Sequence, residues 1–384
     1  MLEDLPLEIL IIIINHLTTL DVISLLQLKN YRISMACINL EKINLFFCSK
    51  KFYRYLPLFK NPSELSIADL RMRKNSVVYT ILLKNWKLKK LAFYNSKFLK
   101  FDVLKKLFKD QNKLETLNLN SCCQLNHVHL KLLTKNIKHL YLANSNLEVK
   151  DLIKLNKFTK LETLDLSHSF KNLDSSFKNL VLPKLKELIL ISCSLNGDEN
   201  IIKFFNNIDS LKKLDISASV LNNNLINVLN KKHTELEILV LNNVFITERL
   251  FRIDNIWTRL KKLDLANSYN FTDDIFFSIC KSIPNIESLN LNNTKITDLS
   301  AVYISVFYKK LTHLYLAKNH IRHHTFNNLS RTYSLKFLDL SYSNITTKYI
   351  NEILNKNFLE YIVLTACRNI KFENLRNKKC QLII

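Results

Sequence analysis

Four aspartates, Asp165, Asp215, Asp264 and Asp339, occupy the same place in a recurring phrase of this chain, whereas His129, His233 and His320 share no common place. Two carboxylates held together would make a general acid/base pair, and a histidine between a carboxylate and a serine or cysteine would make a nucleophile relay. The spacing supplies neither. Copies of the phrase return about every two dozen residues, and as parallel strands they lie about 4.8 Å apart. The four aspartates are two copies apart at the closest, so roughly 10 Å or more separates them. Metal chemistry has no better footing. Cys122–Cys123 and His323–His324 are adjacent pairs, and no set of cysteines and histidines has ligand spacing. One glycine in 384 residues leaves no phosphate-cradling loop. A chain without a catalytic site, metal or cofactor is expected.

The phrase is Leu-x-x-Leu-x-Leu. Clean copies are Leu161–Leu164–Leu166, Leu211–Leu214–Ile216, Leu260–Leu263–Leu265 and Leu335–Leu338–Leu340. It can be started at 14 places from Leu40 to Leu359, and the 13 steps average 24.5 residues. That period and phrase are the signature of leucine-rich repeats. The Leu-x-Leu step is strand alternation, so each unit opens with a strand of about three to five residues. The units starting at Leu40 and Pro62 are the loosest. The second halves read as helical turns, at Asp102–Lys109, Leu225–Lys232, Thr272–Cys280 with Thr272 as N-cap, and Tyr349–Asn355. Ile296–Asp298 sits where another helix would begin. The ninth position is Ser96, Cys122, Ser145, Ser169, Cys193, Ser219, Val244, Ser268, Thr294, Asn319, Ser343 and Cys367, with Cys48 in an early unit. Small polar or thiol groups there suit a turn beneath the strand, bonded to backbone groups the bend leaves unpaired. This choice resembles the cysteine-containing and ribonuclease-inhibitor-like subclasses of leucine-rich repeats. The expected fold is α/β: a leucine-rich repeat solenoid over residues 38–374, a curved parallel sheet with helices on its convex side. Residues 375–384 are read as a C-terminal cap or tail.

Apolar content is 47%, yet no uncharged apolar run reaches the length of a membrane span. The run Ile9–Ile14 is too short, and Glu3, Asp4 and Glu8 precede it instead of a signal peptide's positive start. Cytoplasm or nucleus is the expected location. Cys122, Cys193 and Cys367 share one structural position in different units and are expected as free buried thiols. With a single glycine, turns must lean on Asn, which tolerates left-handed backbone better than most residues. The net charge is +23, from 56 basic and 33 acidic side chains. Lys212–Lys213, Lys231–Lys232, Lys261–Lys262 and Lys309–Lys310 open a nucleic-acid reading. Heavy use of Asn, Lys and Ile fits an AT-rich coding bias instead, and nucleic acid is not expected as the main partner.

Before Leu40 the pattern changes. Pro6 suits a first helical turn, Ile9, Ile13 and Leu17 fall on one helix face, and Leu10 and Ile14 lie beside them. Thr18 with Asp21 can form a capping-box analogue, and Val22, Leu25, Leu26 and Leu28 carry a second helix. These helices are too short for a core of their own and too apolar to be bare. The order LPLEIL, HL, LDVISLLQL resembles the F-box motif over Leu2 to about Ala36, most strongly at Leu5–Leu28. The family's later Val-Cys-(Lys/Arg)-x-(Trp/Phe) stretch is replaced by Leu28–Lys29–Asn30–Tyr31–Arg32. The resemblance implies that residues 1–37 dock on an S-phase kinase-associated adaptor and through it join a cullin complex. It implies adaptor contacts from Leu5, Pro6, Ile9, Leu10, Ile13 and Leu17, with Val22, Leu25 and Leu26 stabilising or extending that surface. The chain would then be the non-catalytic substrate receptor of a ubiquitin ligase. The alternative is a repeat scaffold or inhibitor whose first helices only cap the solenoid's open end.

A protein substrate of unstated identity would lie on the concave face. The fifth position of each unit is Ala92, Asn118, Tyr141, Asp165, Ile189, Asp215, Val240, Asp264, Asn290, Tyr315, Asp339 and Val363. Bulky aromatics with short carboxylates suit a protein-binding surface. The densest group, Tyr315, Phe337, Asp339, Tyr342 and Tyr361, is the expected substrate anchor; aromatic packing between neighbouring strands would produce the same pattern.

Overall fold

The computed structural model describes residues 5–28, 30–45, 50–68, 80–81, 84–96, 101–122, 125, 127–145, 147–169, 175–195, 199–221, 223–246, 256–321, 328–329, 331–356, 359–375 and 380–383. Cys48, Cys123, Phe170 and His323–His324 lie outside them. The chain forms two compact units, Met1–Leu185 and Lys186–Ile384.

The first unit opens with helices Leu7–Asn15, Thr19–Leu26 and Tyr31–Cys37. Thr18 and Asp21 do form a capping box: the Asp21 N–H donates to Thr18 Oγ1 at 3.2 Å, and the Thr18 N–H donates to Asp21 Oδ2 at 3.3 Å. Asn30 caps the third helix by accepting from the Ile33 N–H at 3.1 Å. Leu10, Ile14, Val22, Ile23, Ile33, Ala36 and Cys37 close a small core. Bonds tying this head to the first strand include Asn44 N–H to Thr19 Oγ1 at 2.8 Å and Glu41 N–H to Asn15 Oδ1 at 3.2 Å.

Six parallel strands follow, Lys42–Leu45, Glu64–Ala68, Lys90–Tyr94, Thr116–Asn118, His139–Tyr141 and Thr163–Asp165. Their register matches leucine to leucine, through Leu65, Leu91, Leu117, Leu140 and Leu164. The two loosest copies of the phrase still form strands of 4 and 5 residues. Among its described residues the second unit repeats the ladder with nine strands, aligned through Leu188, Leu214, Leu239, Leu263, Leu289, Leu314, Leu338, Ile362 and Leu382. Its last strand, Gln381–Ile383, pairs with Tyr361–Val363. Residues 381–383 of the expected tail therefore continue the sheet. The connecting helices include Phe101–Asp110, Asn223–Lys232, Asp273–Cys280, Asp298–Phe307 and Thr347–Lys356, while Val149–Lys157 and Ser175–Asn179 are tighter 3-10 turns. This is an α/β leucine-rich repeat fold. Thr272 holds the N-cap position, as expected, but without a capping bond. Asp273 beside it serves the next helix by accepting from the N–H groups of Thr297 and Ser300, each at 3.0 Å.

Every repeat from Leu88 onward turns at its eighth residue with φ between 49° and 60°. Asparagine fills five of these places, as expected, but Ser121, His168, Ser192, Ala218, Lys318, Tyr342 and Ala366 fill the others. A non-glycine residue costs about 1–2 kcal/mol in this left-handed region. The stack holds it there because the turn aims the residue's N–H at the following repeat. Ala218 donates to the Asn242 carbonyl at 2.8 Å, Lys318 to Ser341 at 3.0 Å and Tyr342 to Thr365 at 2.9 Å. The next residue, the ninth, reaches the other way. Cys122 Sγ donates to the Phe93 carbonyl at 3.2 Å, Ser219 Oγ to Leu190 at 3.0 Å, Asn319 Nδ2 to Leu291 at 2.7 Å and Cys367 Sγ to Leu340 at 3.2 Å. Among the described residues, Cys37, Cys122, Cys193, Cys280, Cys367 and Cys380 are buried, unbridged thiols.

His233 is buried against Phe205, whose carbonyl accepts from its Nε2 at 2.9 Å. Burial pushes its pKa down to about 4, against the raising effect of that bond.

Two expectations follow. Ala218→Gly and Ala366→Gly should each stabilise the fold by about 0.5–1 kcal/mol, because glycine relieves the left-handed turn. Ala301→Gly, inside the helix Asp298–Phe307, should cost about 1 kcal/mol. Urea midpoints would show both signs. For His233, the folded pKa lies below the unfolded value of about 6.5, so its stabilisation is complete above that pH and lost as pH falls toward 4. The loss amounts to about 3 kcal/mol. Melting temperatures measured from pH 7 to pH 4 should therefore fall less in His233→Gln than in the natural chain.

Candidate functional site

The helical head has an inside and an outside, and the side chains expected to dock the adaptor divide between them. Leu10 and Val22 are buried at 1% and 0% exposure. They belong to the head's own core, because three packed helices need an interior of their own before they can offer a surface. Leu5, Ile13, Leu25 and Leu26 are half-buried, and Pro6, Ile9 and Leu17 are exposed. The structure adds Ile12 at 56%, Leu20 at 39%, Leu28 at 63% and Tyr31 at 77%. A helix-face pattern centred on Ile9, Ile13 and Leu17 does not select these four. The continuous run Ile11–Ile14 was the available signal, since a helix apolar on all sides must have more than one partner.

On the sheet the fifth position has a structural duty. Asp339 Oδ1 accepts from the Ser341 N–H at 2.9 Å and from Ser341 Oγ at 2.6 Å. Asp215 makes the same pair with Ser217, Asp165 accepts from Ser167 N–H, and Asp264 from Ala266 N–H. Asn118 and Asn290 accept from the residue two places on in the same way. The aspartates therefore close the turn after each strand. Burial raises the pKa of Asp264, with a small further push from the charge of Asp215.

Of the residues expected as a substrate anchor, Tyr315, Phe337, Asp339 and Tyr361 lie on adjacent strands. His313, Phe337 and Tyr361 hold matched places on three adjacent strands, and Tyr315 is level with Asp339. The Phe337 ring lies 4.9 Å from Tyr315 and is stacked on His313 at 5.8 Å. Tyr315 and Phe337 are half-buried, and Tyr361 is exposed. Burial, then the charges of Asp339 and Asp264, raises the pKa of Tyr315. Tyr342 stands apart in a left-handed turn, with the Lys318 ammonium 4.8 Å above its ring.

A second exposed row was missed. Val220, Phe245 and Tyr269 hold the tenth position of three successive repeats at 66%, 74% and 60% exposure. With Asn243 and Lys295 they line a recess of about 640 Å³. Reading the tenth column as the ninth was read would have found it.

Some of the basic side chains pair with carboxylates across the strands. Lys138–Glu115, Lys212–Glu237, Lys261–Glu287 and Lys336–Glu360 join neighbouring repeats at 2.8–3.2 Å. Lys138, bonded to Glu115, holds that carboxyl below its ordinary range. Lys157 Nζ donates to the carbonyls of Lys131 and Leu133 at 2.7 Å each, and burial pushes its pKa down to about 8. Among the described residues no group of three or more metal-ligating side chains gathers, and no helix is long and apolar enough to cross a membrane.

No family model matches this sequence, and no curated protein does. Solved structures align with this chain. Rad7 from yeast, in its complex with Elc1, aligns over 86% of this chain and 83% of that one, with a TM-score of 0.58 and 16% identity. An internalin from Listeria monocytogenes aligns over 72% of this chain and 86% of its own, at 18% identity and a TM-score of 0.44. Internalin C2 from the same organism covers 49% of this chain and 74% of its own, at 21% identity and 0.36.

Proposed function

We propose that this chain is the non-catalytic substrate-recognition subunit of a ubiquitin ligase of the Skp–cullin–F-box type. Its head docks on the S-phase kinase-associated adaptor, and its sheet face holds a protein substrate. The observation that carries this reading is the state of the head. Its core is already closed by Leu10, Ile14, Val22, Ile23 and Ile33, yet Ile9, Ile12, Leu17, Leu20, Leu28 and Tyr31 stay exposed. An end cap hides apolar surface; this one is bonded to the first strand and still presents more. The F-box resemblance of Leu5–Leu28 names the partner class. The shared fold with Rad7, a protein held in complex with Elc1, gives further support.

The test is co-purification. The full chain co-expressed with the adaptor should retain it. The double substitution Ile12→Glu and Leu20→Glu should weaken retention by at least about tenfold, because truncating or charging a central apolar anchor removes most interface energy. Both residues are exposed, so stability should move by no more than about 0.5 kcal/mol per site. Phe337→Ala, on the sheet, should leave retention unchanged. A full-length chain that folds and ignores the adaptor overturns the proposal.

A further inference from the structure

The fifth-position turn can be closed by a neutral side chain. Asn290 does so, its Oδ1 accepting from the Asn292 N–H at 3.1 Å, and Asn118 does the same at 3.0 Å. At Asp215 and Asp339 the sheet nevertheless carries full carboxylates, in a chain of net charge +23. The fold needs the acceptor and not the charge. In Asp215 and Asp339 one oxygen takes both turn bonds, and among the described residues the second oxygen has no hydrogen bond. Asp339 lies level with Tyr315 on the neighbouring strand, and the Tyr315 ring is 4.9 Å from Phe337. The result is a corner with two aromatic faces and a carboxylate edge.

The cations nearby do not fill it. Lys318 is engaged over Tyr342, and Lys213 is paired with Glu187. Lys262 is on a strand two places from His313–Tyr315, roughly 10 Å away across the sheet. Aromatic faces attract cations, and an adjacent carboxylate adds direct charge.

We infer that this sheet face takes an extended peptide bearing arginine or lysine, one cation seating among Tyr315, Phe337 and Asp339. This deepens, and rests on, the reading of the sheet as the substrate surface: it names basic segments as the substrate class. Local charge here opposes the charge of the whole molecule. Binding at this face is therefore short-range, and the net positive charge elsewhere screens out basic chains that lack the right spacing.

The experiment uses the full chain and two fluorescein-labelled peptides of about 12 residues, an Arg–Ser repeat and a Glu–Ser repeat, which reach roughly 40 Å when extended. Fluorescence anisotropy should show the Arg–Ser peptide binding and the Glu–Ser peptide binding more weakly. Added salt should weaken the Arg–Ser complex, although the net charges of protein and peptide repel. Asp339→Asn keeps the turn acceptor and should lower affinity about fivefold, and Phe337→Ala about tenfold. An Arg–Ser affinity unchanged in Asp339→Asn, strengthened by salt, or exceeded by the Glu–Ser peptide overturns the inference. Adaptor retention measured on the same proteins separates the two readings. Loss of peptide binding with retained adaptor defeats only this inference, and peptide binding without adaptor defeats only the ligase reading.

Discussion

The left-handed turn after the strands from Lys90–Tyr94 to Tyr361–Val363 is the constraint on which the rest of the structure depends. It sends the eighth N–H forward to the following repeat and lets the ninth side chain reach back to the one before. With only one glycine in the chain, those conformations are held by the stack and not by local preference. Tyr342 and Lys318 sit at φ 60° and 58° because their amides are bonded onward. A repeat taken alone would have no reason to adopt this turn. The cooperation between repeats is thus written into the backbone as well as into the shared leucine core.

The same turn decides what the sheet can offer to a partner. Closing it consumes the fifth-position acceptor, so the aspartates are fixed in place before any ligand arrives. Their rotamers are set by Ser217, Ala266 and Ser341. The aromatic residues of the third and fifth columns are set by their neighbours on adjacent strands. A surface built this way would lose little side-chain freedom on binding.

Architecture was legible because the repeat averages its own noise: one copy of Leu-x-x-Leu means nothing, and a dozen in register fix strand, core and turn. The ninth column's bonding was legible for the same reason. Single-residue duties were not. Asp273 serves the helix of the next repeat, and no pattern within its own unit reveals that. Leu10 and Val22 were read as contact residues because a short amphipathic segment does not state which of its faces is the inner one. The third helix, Tyr31–Cys37, supplies that face by packing against the first two. The last strand, Gln381–Ile383, was hidden because it pairs without the leucine phrase.

The central claim is that a closed helical head and an open sheet face serve different partners. Hydrogen–deuterium exchange on the full chain, with and without the adaptor, reads this most directly. The account predicts new protection confined to the helices Leu7–Asn15, Thr19–Leu26 and Tyr31–Cys37, with the strands from Glu187–Ile189 to Gln381–Ile383 unchanged. Protection centred on those strands, or none anywhere on the chain, would contradict it.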